Sequence, residues 1–208
     1  MVSLNSDGSP SFKAPGEVLR HATRGLMGRL GVIGARLGFN PDLITLIGLL
    51  IVAIAAVFAA LGQFFVAGVI LILGTPLDAL DGAIARARSQ PTRFGALLDS
   101  TLDRYADGLI FGGIAVYYAQ RSDLSGLLLA LTALIGAYGV SYVRARAEGL
   151  GIGSIKDGLF DRAARIIVLI LALVTGYVLL GLVILSIGSH LTAVQRLRLA
   201  YRATRNDS

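Results

Sequence analysis

Two long uncharged runs dominate the chain. One extends from Leu43 to Leu77 and the other from Ile166 to Gln195. A membrane span needs about 20 predominantly apolar residues, so each run is long enough for two helices with a turn between them. The turns are expected at Gly62-Gln63 and at Thr175-Gly176-Tyr177. The second helix continues past Asp78 and Asp81 to about Ser89, where Gln90-Pro91-Thr92 breaks it, because the residue before a proline is pushed out of the helical region. A third helix is expected from Phe94 to Ala119, ended by Arg121-Ser122-Asp123, and a fourth from Leu124 to about Glu148. The glycine-rich stretch from Gly149 to Gly158 then reads as a loop. The pattern predicts an all-α membrane protein with six transmembrane helices.

Ahead of the first span the pattern differs. Residues 1–12 are small and polar and read as a disordered tail. From Lys13 to Leu37 apolar residues recur at near-helical spacing, interleaved with Arg20, Arg24, Arg29 and Arg36. That is a basic amphipathic helix, too charged to span and suited to the headgroup region of an anionic leaflet. Asn40-Pro41-Asp42 starts a new helix, with a capping asparagine and a proline at the first helical position. The expected organisation is a tail (1–12), a juxtamembrane interfacial helix (13–41) and a six-helix domain (42–204).

Composition agrees. The chain is 55% hydrophobic and 15% charged, whereas a soluble domain is about 45–50% apolar and about 25% charged. The absence of cysteine excludes disulfides and cysteine-ligated metal. The net charge is +6, and of the 19 Lys and Arg only Arg121 falls on the side opposite the others. Cationic loops face the cytoplasm, which places the site and both termini there. Membrane topology accounts for the charge, so no nucleic-acid partner is expected. No apolar segment followed by a small-residue cleavage site appears in the first forty residues, so no secretory signal is expected.

An ionisable side chain within a span costs at least about 2.5–3.5 kcal/mol to insert and is a functional candidate by default. Four aspartates cluster here, in Asp78-Ala-Leu-Asp81-Gly82-Ala-Ile-Ala85-Arg86 and, eight residues on, Gly95-Ala-Leu-Leu-Asp99-Ser-Thr-Leu-Asp103. Asp78 and Asp81 share a helix face, as do Asp99 and Asp103. Their distances from Gln90 are matched, so the two pairs are expected to face one another below the cytoplasmic surface. Four such carboxylates cannot all ionise without cations. Oxygen ligands without His or Cys select Mg2+, Mn2+ or Ca2+, and two ions spaced for a phosphate would satisfy them. Small residues at Gly82, Ala85 and Gly95 allow close approach, and Arg86 is placed to hold a phosphate.

These residues resemble the signature of the CDP-alcohol phosphotransferase family, D-x-x-D-G-x-x-A-R, eight residues, G-x-x-x-D-x-x-x-D, with every fixed position present. The resemblance implies that Asp78, Asp81 and Asp99 bind Mg2+ or Mn2+, that Asp103 is the general base and also a metal ligand, and that Gly82, Ala85, Arg86 and Gly95 line the CDP-lipid site. Asp42, Thr45 and Thr92 resemble positions near the cytidine and phosphates. The implied reaction moves the phosphatidyl group of CDP-diacylglycerol onto an alcohol and releases CMP, in an enzyme that works as a homodimer among membrane lipids.

For the acceptor, Arg144 and Arg146 close the fourth helix, and Arg162 and Arg165 open the fifth. Four arginines suit a dianionic phosphate on a polyol. The stretch resembles the inositol-phosphate-accepting branch of the family, with Asp161 and Ala164 where glutamates are usual. Inositol 1-phosphate is therefore the expected acceptor, with glycerol 3-phosphate as the alternative. The rival of another class is a divalent-cation channel or transporter, which needs carboxylates reachable from both faces.

Overall fold

A computed structural model describes residues 2–4, 10–12, 15–88, 92–155, 158 and 160–206; within these, the side chains of 2–4, 10–12, 15–24, 26, 78 and 206 lie outside the description, as does the turn expected at Gln90. The helices are α1 (Pro15–Arg36), α2 (Pro41–Ala60), α3 (Phe64–Ala87), α4 (Arg93–Gln120), α5 (Leu124–Gly149), α6 (Arg162–Thr175) and α7 (Val178–Asn206). Two short strands, β1 (Val2–Leu4) and β2 (Pro10–Phe12), pair antiparallel with Ser3 opposite Ser11. Part of the stretch expected to be a disordered tail therefore forms a ribbon. The Asp7-Gly8 dipeptide between the strands is a hairpin signal that composition alone passed over.

Local chemistry sets the helix ends. Asn40 caps α2 by accepting from the Asp42 N–H at 3.0 Å, with Pro41 at the first helical position. Thr92, Asp123 and Asp161 cap α4, α5 and α6 by accepting from the N–H groups of Gly95, Gly126 and Ala164. Gly62 turns the chain after α2 at φ +78°, and Gly176 ends α6 at φ +79°, a conformation that glycine adopts without penalty.

Among the described residues four helices, α2, α3, α5 and α7, are long and apolar enough to cross a membrane. The other two predicted spans fall short for different reasons. α4 is 28 residues long but carries Asp99, Asp103, Arg104 and Asp107 along its length. α6 has only 14 residues, about 21 Å at the helical rise, with Asp161 capping its start and Gly176 its end.

The bundle has small residues inside and large apolar ones outside. Ala55, Ala56 and Ala59 of α2 are buried with Ala130, Ala133 and Ala137 of α5, and Ile110, Phe111 and Ile114 of α4 fill the space between helices. Leu50, Leu73, Ile135 and Ile187 are exposed. Membrane bundles are built this way, since small residues let helices approach while lipid covers the large ones. α2 packs against both α3 and α4, whereas α3 and α4 do not pack extensively on each other. α2 is wedged beside both helices that carry the acidic motif. Gly113 of α4 accounts for part of this, because a Cβ there would collide with the Ala56 backbone of α2.

Candidate active site

The site begins at the first turn of α2. Thr45 is buried, and its hydroxyl donates to Oδ2 of Asp81 at 2.6 Å, with the Pro41 carbonyl oxygen 3.1 Å from the same Oγ1. Asp81, from α3, is 5% exposed, and its Oδ1 is against the Gly82 N–H. A narrow cleft beside Thr45 is lined by Gly48 and Val52 of α2, Leu102 and Asp103 of α4, and Arg162 of α6. Thr45 is thus a shared neighbour: it bonds the Asp81 carboxylate and walls the cleft that holds Asp103. A single residue from α2 connects the two arms of the motif.

Asp103 is paired with cations on both oxygens. Nη2 of Arg162 donates to its Oδ1 at 2.7 Å, and Nη2 of Arg104 reaches Oδ2 at 3.3 Å. Asp99, one turn nearer the start of α4, is half-buried. Among the described residues no three His, Cys, Asp or Glu side chains stand close enough to hold a metal ion; the Asp78 side chain, the fourth of the expected set, lies outside the description. The donor set available at the site is hard carboxylate and hydroxyl oxygen, which fits Mg2+ or Mn2+ and no softer ion.

The residues expected around CDP-lipid fall into two groups. At the start of α4, a Cβ on Gly95 would lie 3.0 Å from Thr92 Oγ1 and 3.3 Å from Asp42 Oδ1. Gly95 therefore leaves room for both Asp42 and Thr92 beside the start of α4. On α3, a Cβ on Gly82 would lie 3.2 Å from Nη1 of Arg86, so the exposed Arg86 folds back over Gly82, with Ala85 half-buried beside it.

The four arginines differ in burial and in partners. Arg162 reaches the acidic cleft. Arg165 is buried on Asp107, with Nη2 3.3 Å from its Oδ2. Arg144 and Arg146 are exposed at the end of α5, and Arg144 pairs with Glu148 one turn on at 3.1 Å. Sequence reasoning missed the contribution of Asp107 and Asp161, and that of Arg196, which is 4% exposed on α7 and donates from Nη1 to the Val140 carbonyl at 3.0 Å. Two signals were available: Asp107 is one helical turn after Asp103, and Asp161 directly precedes a helical run, as an N-cap does.

Comparison with known proteins shows the family. Residues 39–194 match the family model for CDP-alcohol phosphatidyltransferase. An archaetidylinositol phosphate synthase of Pyrococcus horikoshii is 42% identical over 168 residues, covering 81% of this chain and 87% of that protein. A phosphatidylinositol phosphate synthase of Streptomyces avermitilis is 39% identical over 176 residues, covering 77% of this chain and 72% of the other. Among solved structures, the Mycobacterium tuberculosis phosphatidylinositol phosphate synthase with CDP-DAG bound superposes with a TM-score of 0.76 at 29% identity, over 84% of this chain and 93% of the other. The same enzyme in complex with manganese and citrate superposes with a TM-score of 0.75 at 28% identity, over 84% and 88%. Sequence signature, helix arrangement and relatives agree: this chain is a transferase and belongs to the CDP-alcohol phosphatidyltransferase family.

Proposed function

We propose that this chain transfers the phosphatidyl group of CDP-diacylglycerol to inositol 1-phosphate, forming phosphatidylinositol phosphate and releasing CMP. The observation that carries the reading is the contact between Asp103 and Arg162. It sets a carboxylate able to take a proton beside a guanidinium able to hold a phosphate, in one cleft next to Thr45. An acceptor that carries both a hydroxyl and a phosphate fits that pair. The inositol-phosphate-using relatives support the same acceptor.

In the proposed reaction Asp103 removes the proton from the acceptor hydroxyl. The hydroxyl oxygen forms a bond to the lipid-bearing phosphorus, the bond from that phosphorus to the bridging oxygen breaks, and CMP leaves. Arg162 orients the acceptor through its phosphate. Asp42, Thr92 and Gly95, with Gly82, Ala85 and Arg86, seat the cytidine and pyrophosphate. Asp78, Asp81, Asp99 and Asp103 would hold one or two Mg2+ or Mn2+ ions, with Thr45 orienting Asp81 from behind. When bound, the metal neutralises the pyrophosphate and the leaving CMP. Arg144 and Arg146, exposed at the end of α5, contribute a positive field that draws the anionic acceptor in.

The same reading places six spans, α2 to α7, in the membrane, with α1 in the cytoplasmic interface. Tight packing of α1 on α3 supports this position: a Cβ on Gly31 would lie 2.7 Å from the Ala83 backbone and one on Gly34 2.6 Å from Ile84. Both termini and the site then face the cytoplasm, and the enzyme works as a homodimer. Purified protein in lipid nanodiscs, given CDP-diacylglycerol with radiolabelled inositol 1-phosphate or glycerol 3-phosphate, tests the acceptor. Label is expected in the lipid phase from inositol phosphate. Turnover with glycerol phosphate alone would make the chain a phosphatidylglycerophosphate synthase, and chelator-resistant turnover would contradict the metal set.

A further inference from the structure

α7 is longer than a membrane requires. Its 29 residues extend about 44 Å at the helical rise, against a hydrocarbon layer about 30 Å thick. A span of about 20 residues counted from Val178 ends near Leu197, and the helix goes on to Asn206. Three arginines, Arg198, Arg202 and Arg205, stand on this overhang together with Tyr201. All four residues are exposed, and they line an open cavity of about 490 Å³. Among the described residues no acidic group shares that lining, and none of the four lines the acidic cleft.

The cations continue an apolar stripe. Ile187, Leu191 and Val194 are exposed on α7. With Arg198, Tyr201, Arg202 and Arg205 they recur every three or four residues, which keeps them on one face of the helix. The buried polar residues Ser189, Thr192 and Arg196 fall on the opposite face by the same spacing. The bundle therefore covers one side of α7 and leaves the other open. Along the open side, side chains suited to acyl chains give way to cations at the depth where hydrocarbon gives way to headgroups. Arginine forks bind phosphate oxygens, and tyrosine favours the same layer. A soluble anion would have no use for the stripe, and a second copy of the chain would set three cations against three. A phospholipid with a negative headgroup matches both halves of the face.

We propose that the exposed face of α7 is a binding site for an anionic phospholipid of the surrounding bilayer. Its acyl chain lies along Ile187, Leu191 and Val194, and its phosphate sits among Arg198, Arg202 and Arg205. The site is separate from the transfer chemistry, which uses none of these residues. The inference rests on α7 crossing the membrane and is independent of which acceptor the enzyme uses.

The chain has no tryptophan, so Val194→Trp supplies a single fluorophore on the stripe, and Leu73→Trp supplies a reference at an exposed position of α3. Each protein is reconstituted without substrate in phosphatidylcholine vesicles that also contain phosphatidylglycerol with brominated acyl chains, or brominated phosphatidylcholine in its place. At Val194→Trp the brominated phosphatidylglycerol is expected to quench at a mole fraction about tenfold to a hundredfold lower than brominated phosphatidylcholine, the scale of several cations at a membrane surface. At Leu73→Trp the two lipids are expected to quench alike. Adding Arg198→Gln, Arg202→Gln and Arg205→Gln to Val194→Trp is expected to remove the preference. If that variant does not insert, Arg202→Gln alone is read in the same way, with the preference expected to fall about fivefold. Equal quenching by the two lipids at Val194→Trp would overturn the proposal, as would an equal preference at Leu73→Trp or one that survives the loss of the arginines. Loss of the preference in millimolar inorganic phosphate would overturn it too, by making the site one for a free anion.

Discussion

Two pairs of arginines stand at the same end of the bundle and differ in almost everything but charge. Arg144 and Arg146 close α5 in the open, and the Arg144 side chain is 46% exposed on an i,i+4 pair with Glu148. Arg162 and Arg165 open α6 inside the bundle, with side chains 28% and 4% exposed on Asp103 and Asp107. The difference comes from the loop between the helices. It carries Phe160 onto Gly188 and Thr192 of α7, about 15–21 Å from the start of that helix by its rise per residue. A short α6 therefore begins deep in the bundle with its cations already beside the carboxylates. An exposed pair like Arg144–Glu148 is worth about 0–1 kcal/mol, whereas breaking a buried pair costs about 3–5 kcal/mol. Charge at one end of a membrane protein thus divides into a part that sets topology and a part that builds the site.

Substitutions can break that contrast, and their effects are expected to fall in a definite order. Asp103→Asn removes both the base and the anchor of Arg162; kcat is expected to fall about 10²–10⁴-fold, the usual worth of general base catalysis, in a steady-state CMP-release assay. Arg162→Gln comes next. Losing one member of a buried charge pair costs about 2–5 kcal/mol, so kcat/KM for the acceptor is expected to drop by at least about thirtyfold while CDP-lipid still binds by isothermal titration. Thr45→Val removes the hydroxyl from Asp81 and is expected to cost about tenfold in kcat/KM for CDP-lipid, the scale of one lost hydrogen bond to a buried charge. Arg144→Gln combined with Arg146→Gln is expected to change acceptor kcat/KM by no more than about threefold and only at low salt, as suits exposed charges. If the outer pair proved as costly as Arg162, the division between the two pairs would be wrong.

Much of this was legible in the sequence. The breaks at Gly62-Gln63 and Thr175-Gly176-Tyr177 fall at observed helix ends, because glycine and the end of an apolar run act locally. The aspartate spacing was equally clear, since a charge in a span has few innocent explanations. What pattern could not supply was contact between distant segments. Thr45 was placed near the nucleotide by resemblance, but its bond to Asp81 depends on α2 lying beside α3 and α4. Which of the four arginines are buried was not legible either. Nothing within the sequence of residues 150–161 announces that Phe160 docks on Gly188 and Thr192. Arg196 escaped because its carbonyl partner, Val140, is on another helix and backbone acceptors leave no trace in sequence.

The most direct test is a single-turnover comparison of the parent enzyme with Asp103→Asn. Each is loaded with CDP-diacylglycerol and Mn2+ in nanodiscs and mixed with inositol 1-phosphate, and nucleotide and lipid products are quantified by mass spectrometry. The parent is expected to yield CMP and phosphatidylinositol phosphate in equal amounts, and Asp103→Asn neither, with its CDP-lipid still bound. Equal product from both proteins would show that the carboxylate beside Arg162 takes no part in the transfer.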